Sequence, residues 1–142
     1  MNLSEHFTYD EMTVTQVRNV SNKPNEKQLK ALTKTAILME EVRALLGKPI
    51  RVNSAFRSYG VNSAVGGSTT SAHSFGYAVD FVCPDFGSAY EVACAIRDSD
   101  IKYDQLIYEG TWVHISFDPR MRQQDLTAKF GRKTIYSSGI NK

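Results

Sequence analysis

His73, Asp80 and His114 are the residues of this chain best suited to chemistry. His73 and Asp80 stand seven residues apart in Ser71-Ala72-His73-Ser74-Phe75-Gly76-Tyr77-Ala78-Val79-Asp80, and His114 sits in Trp112-Val113-His114-Ile115. The chain has only three histidines, so two of them lie in these segments. Two neutral imidazoles and one carboxylate form a three-ligand set for zinc that leaves a fourth position open to water. An open position marks a catalytic site rather than a structural one. The ion keeps net positive charge in such a set, which lowers the pKa of water toward neutrality.

Hydrolysis asks for two further groups. A carboxylate must take a proton from water and pass it to the leaving amine. Glu109 and Asp104 are the candidates. Glu109 is favoured, because it falls at the tip of a predicted hairpin whose return strand carries His114. Asp104 lies further from the turn, where a structural or supporting role suits it better. A donor must also steady the developing oxyanion. Arg57, in Ser54-Ala55-Phe56-Arg57-Ser58, offers a guanidinium with two aligned donors. His6 is read as exposed near the N-terminus and not as a ligand.

These residues need elements to position them. Thr8-Tyr9-Asp10-Glu11 has the pattern of a capping box that opens a short helix. A long helix is predicted from about residue 25 to 46, with Leu29, Leu32, Ala36, Met39, Val42 and Leu46 as one apolar stripe. Gly47 ends it and Pro49 prevents continuation. A strand is expected over residues 50–54, a short helix over 62–65, a loop over 68–71 and a strand over 77–83. A second core helix is predicted over 88–98. Residues 103–108 and 112–117 flank Gly110-Thr111 as a hairpin. Beyond Asp118 the chain reads as a polar, basic tail with one short strand near residues 134–136.

Strands have a side-chain period of two, and that period separates chemistry from packing. Ala78 and Asp80 share one face, while Tyr77, Val79 and Phe81 are expected to point into the core. Trp112, His114 and Ser116 share a face, with Val113, Ile115 and Phe117 opposite. Trp112 would wall the cleft. The expected fold is α+β, with a small, mainly antiparallel sheet packed on helices and the three ligands on one face. The domain expectation is a single domain over 1–142, with its core at about 25–120 and a tail over 118–142.

Bulk properties agree with an ordinary globular domain. Of 142 residues, 42% are hydrophobic and 23% charged, which argues against wholesale disorder. A net charge of +2, from 17 basic and 15 acidic residues, gives no reason to expect nucleic acid. No apolar run approaches the roughly 18 residues of a membrane span. The N-terminus shows no basic segment followed by an apolar one, so no secretory signal is expected. Cys83 and Cys94 are then expected as reduced thiols.

The longer pattern Ser71-x-His73-x-x-Gly76-x-Ala78-x-Asp80 resembles the signature of one metallopeptidase family. Its members include zinc D-Ala-D-Ala carboxypeptidases, vancomycin-resistance D,D-dipeptidases and phage L-alanyl-D-glutamate endolysins. The hedgehog signalling domain shares this fold and zinc site. Residues 50–58, with Asn62 and Gly66-Gly67, look like the family's upstream block. Tyr103 to Glu109, with Trp112-Val113-His114, looks like its C-terminal block. The resemblance is closest to the short phage and prophage branch, and it covers about residues 29–117.

The resemblance implies a hedgehog/D,D-peptidase-like fold and zinc on His73, Asp80 and His114. It implies Glu109 as catalytic base, Arg57 on the substrate or its oxyanion, and Ser71 lining the substrate site. Two departures stand out. Trp112 takes the place of the first histidine in a His-x-His pair, and Glu109 lies two residues before the position where many relatives keep their acid, here Thr111. The implied activity is zinc-dependent cleavage of peptidoglycan stem peptides, as a D,D-carboxypeptidase or an L,D-type endopeptidase. The implied partner is bacterial peptidoglycan, with no nucleic acid and no membrane insertion, and the chain is expected as a monomer. It would be made in the host cytoplasm and act on the cell wall after release. The rival reading is a catalytically silent zinc-containing wall-binding or phage structural module. The presence of Glu109 favours the enzyme, and Trp112 favours the module.

Overall fold

The computed structural model describes residues 1–142. The chain is α+β, with a six-stranded mixed sheet. Its helices are α1 (Tyr9–Met12), α2 (Glu26–Leu46), α3 (Tyr59–Ala64) and α4 (Ala89–Arg97), with a single 3₁₀ turn at Ala72–Phe75. Its strands are β1 (Arg51–Ser54), β2 (Ala78–Val82), β3 (Gln105–Tyr108), β4 (Val113–Ser116), β5 (Gln124–Lys129) and β6 (Ile135–Ser138), in the order β1-β2-β4-β3-β5-β6. No helix is long and apolar enough to cross a membrane.

Local chemistry sets the helix ends. Thr8, Asn25 and Ser88 each close a capping box with Glu11, Gln28 and Glu91. Gly47 ends α2 in the left-handed region, and its N–H donates to Arg43. The buried stripe of α2 is Leu32, Thr35, Ala36, Met39, Val42 and Leu46. Leu29 lies off this stripe, half-buried on the helix flank. Thr35 is buried because its hydroxyl donates to the Gly76 carbonyl at 2.7 Å, which ties the His73 turn to α2. Gly76 itself has φ +83° and leaves no room for a side chain. A Cβ there would stand 2.9 Å from the Gln28 carbonyl oxygen and 3.1 Å from the Leu32 nitrogen.

The sheet's core face carries Val79 and Phe81 from β2, Leu106 from β3, and Val113 and Ile115 from β4, packed with α2 and α4. Tyr77 departs from the expected pattern. It lies just before β2 and stacks on Phe75 at 5.9 Å instead of entering the core. The segment carrying His73 also differs, forming a 3₁₀ turn capped by Ser71 rather than open loop.

The C-terminal segment builds the far side of the sheet. β5, absent from the sequence reading, pairs parallel with β3, and β6 pairs antiparallel with β5. β4 returns the chain to where β3 begins, since Ser116 faces Gln105. The short connection over 117–123 therefore has to start β5 alongside β3 in the same direction. That connection is pinned by Asp104, fully buried, which accepts from Arg122 Nε and Nη2 at 2.8 Å each and from its backbone N–H at 2.9 Å. Phe7, Met12 and Ile140 join the same core from outside residues 25–120. Cys83 is buried and Cys94 half-buried, both as free thiols.

Two glycine substitutions separate backbone strain from steric overlap. Gly47→Ala adds a Cβ that meets nothing within 4 Å, so only its left-handed φ of +65° counts, about 1 kcal/mol. Gly76→Ala adds overlap with two backbone atoms of α2, and should cost about 3 kcal/mol. Urea unfolding of both variants measures the difference.

Candidate metal centre

Strand register brings the ligand set together. Asp80 lies directly between Ser54 of β1 and His114 of β4. Residues opposite one another in neighbouring strands project to the same face. The 3₁₀ turn lays His73 over that face, with the Arg57 N–H donating to the His73 carbonyl at 3.2 Å. His73 Nε2 lies 3.3 Å and His114 Nδ1 2.8 Å from the same oxygen, Asp80 Oδ1. The two rings meet edge to face at 5.1 Å.

The donor set fits a metal ion. One donor atom from each of His73, Asp80 and His114 lies within 4.8 Å of the others, so the group could hold an ion. His73 Nδ1 donates to the Ala55 carbonyl at 2.6 Å, which leaves the lone pair on Nε2 facing Asp80. A second hydrogen bond of this kind orients a ligand imidazole and fixes its tautomer. Zinc bonds of about 2.0–2.1 Å place tetrahedral ligand atoms roughly 3.3 Å apart. The His73–Asp80 distance already meets this, and the His114–Asp80 pair would open by about 0.5 Å.

The charges follow from burial and contact. Burial holds the His73 imidazole below its ordinary value, against the pull of Asp80. Burial also opposes charge on His114, but the hydrogen bond and charge of Asp80 outweigh it and raise the ring. Burial alone would raise Asp80. The two neighbouring imidazoles, His73 first and then His114 through its hydrogen bond, overcome it and hold the carboxyl well below the usual range. Arg57 Nη2 reaches the other oxygen, Asp80 Oδ2, at 3.3 Å, and Arg57 Nε donates to Ser54 Oγ at 3.1 Å.

A cleft of about 630 Å³ opens over this group. Arg57, Ser71, Glu109 and Trp112 line it with the three ligand candidates, so every residue given a role in the site from the sequence lies in one place. Ser71 also caps the 3₁₀ turn, its hydroxyl accepting from the His73 N–H at 3.3 Å. Glu109 is swung over the cleft by the Gly110-Thr111 turn, its N–H donating to the Trp112 carbonyl at 3.0 Å. Its carboxyl is pushed up, first by burial and then by the Asp80 charge. The Trp112 indole N–H donates to Glu109 Oε2 at 2.8 Å, a contact not anticipated from sequence. Asp104 reaches the wall of the cleft, but both its oxygens are held by Arg122, which lowers its carboxyl.

Other wall residues were missed. Leu126 of β5 and Tyr136 of β6 line the cleft, and Phe130 stacks on Trp112 at 5.5 Å. Leu126 and Ala128 keep the alternation of a strand, which was the available signal for β5. His6 lies outside the cleft. It forms an exposed group with Glu5 and Glu40, and its ring and backbone nitrogens already occupy the two Glu40 oxygens at 2.6 and 2.7 Å.

The sequence model of the family described as Peptidase M15 matches residues 5–116, which include His73, Asp80, Glu109 and His114. None of the curated proteins matches the chain.

The two histidines should titrate apart. In chelator-treated protein followed by NMR, His73 should stay neutral to lower pH than an ordinary histidine, and His114 should stay protonated to higher pH. His114 protonation therefore stabilises the metal-free fold fully below the ordinary value of 6.5, and that contribution is lost as pH rises through its raised value. Asp80→Asn removes the charge responsible, so the His114 titration should move to lower pH. An unmoved titration would discount the pairing.

Proposed function

The chain belongs to the peptidase M15 family, and from that footing we propose that it is a zinc-dependent peptidase that hydrolyses stem peptides of bacterial peptidoglycan. The observation that carries this reading is the convergence of His73, Asp80 and His114 beneath a single raised carboxyl, Glu109, in one cleft. His73 through Nε2, His114 through Nδ1 and Asp80 through Oδ1 would hold the ion. When bound, zinc supplies a Lewis acid that polarises the scissile carbonyl and acidifies water.

The remaining work falls to the chain's own groups. Glu109 takes a proton from the attacking water and delivers it to the leaving amine. Its raised carboxyl suits both acts, since a base poised nearer neutrality also returns the proton readily. The Trp112 indole holds one Glu109 oxygen and leaves the other for water. Arg57, anchored on Asp80 and Ser54, keeps further N–H donors for the oxyanion or a substrate carboxylate. Ser71 and Trp112 provide the cleft's polar and aromatic walls for the peptide. The setting we favour is a phage or prophage lysin that acts on the wall after release.

Purified peptidoglycan digested with the protein should release stem-peptide fragments, and a chelator should stop release until zinc is restored. The fragment masses distinguish a D,D-carboxypeptidase from an L-alanyl-D-glutamate endopeptidase. Release that ignores the chelator would end the zinc reading. Glu109→Gln should keep its zinc, measured by metal content, and lose roughly 10²–10⁴-fold in kcat. Glu109 must be ionised to act as base. The wild-type rate should therefore fall with acidification through a pH above the ordinary glutamate value of 4.5.

A further inference from the structure

Tyr136 is the one residue of β6 that lines the cleft, and it lies beyond the residues 5–116 that the family match covers. Register puts it on the face that carries the metal centre. Asp80 faces His114, His114 faces Ile107, Ile107 faces Leu126, and Leu126 faces Ser138. Tyr136 stands two residues before Ser138 on the same strand, so it projects to the same side.

The phenol is positioned as a donor without a partner. Its side chain is 55% exposed and lines the cleft, and its hydroxyl makes no hydrogen bond within the chain. The Trp112 indole is committed to Glu109, while Arg57, anchored on Ser54 and Asp80, keeps N–H donors that can act beside the phenol. Partial burial and the negative charges of Glu109 and Asp80 push the phenol up, so it keeps its proton while those carboxylates are ionised. A neutral O–H gains most from an acceptor that becomes charged, because hydrogen bonds to ionised oxygens are about twice as strong as neutral ones. Such a donor discriminates in favour of the transition state.

We propose that Tyr136 is a catalytic residue whose hydroxyl donates a hydrogen bond to the scissile carbonyl oxygen as that oxygen gains negative charge. The inference rests on the peptidase reading above. In the reaction the water oxygen bonds to the carbonyl carbon and the C–N bond breaks. Both water protons finish on the amine, one of them carried by Glu109, so the products are an ammonium and a carboxylate. Tyr136 keeps its own proton throughout.

The test is Tyr136→Phe, which retains the ring and the strand pairing and removes only the hydroxyl. With soluble stem peptide prepared from peptidoglycan, kcat should fall roughly 10–100-fold with KM within about 2-fold of wild type. Zinc content and thermal midpoint should match wild type. A phosphinate analogue of the cleaved dipeptide, titrated by calorimetry, should bind at least about 10-fold more weakly to the variant, while the product peptide binds both proteins equally. An unchanged kcat, a change confined to KM, or a lowered thermal midpoint with full turnover would overturn the role of Tyr136 alone. A wild type that releases nothing, or that ignores the chelator, would overturn the peptidase reading and this inference together.

Discussion

Asp80 is the constraint around which the site is built. It is a carboxylate only 7% exposed at the centre of a sheet strand, and a charge there is tolerated only with close partners. Three cationic or ionisable groups supply them: His73 and His114 on one oxygen, Arg57 on the other. Each comes from a different part of the fold. Strand β4 brings His114, the 3₁₀ turn brings His73, and the segment after β1 brings Arg57. Satisfying one buried carboxylate thus fixes the relative positions of the elements that frame the cleft.

The same need explains the tight seam between the His73 turn and α2. The turn must hold an imidazole steady over the sheet, so it is tied from two sides. Thr35 grips the Gly76 carbonyl from α2, and the Ala55 carbonyl holds the His73 ring from the end of β1. Gly76 lets the backbone of the turn come close enough to α2 for the Thr35 bond to form. The long helix is therefore the support of the metal centre as well as the spine of the core.

Two carboxylates in one cleft are driven in opposite directions, and this divides their labour. Asp80 is surrounded by positive partners and stays ionised. Glu109 is half-buried near that negative charge, and its carboxyl rises. Environments that push neighbouring acids apart separate a charge-holding role from a proton-carrying one. Asp104, the other acid considered for the proton, is removed from contention by Arg122, which holds both its oxygens.

The sequence alone carried the residue types of the site, the long helix with its caps, the hairpin around Gly110-Thr111 and the two-faced strands of Asp80 and His114. These are local properties. Capping boxes close within three residues, and the helical and strand periods come from the backbone's few allowed conformations. The same local logic overreached at Leu29 and Tyr77, where hydrophobicity predicted burial but packing favoured the Thr35 hydrogen bond and the Phe75 stack. Tertiary structure decided which oxygen the two imidazoles share, which tautomer His73 adopts, and that Trp112 grips Glu109 while Arg122 captures Asp104. It also added β5 to an apparent tail, paired it with the expected last strand, β6, and brought Tyr136 to the cleft. These outcomes join residues distant in the chain or turn on exact side-chain geometry. They are settled by strand register and by the need to satisfy buried charge, neither of which is written in the spacing of one segment.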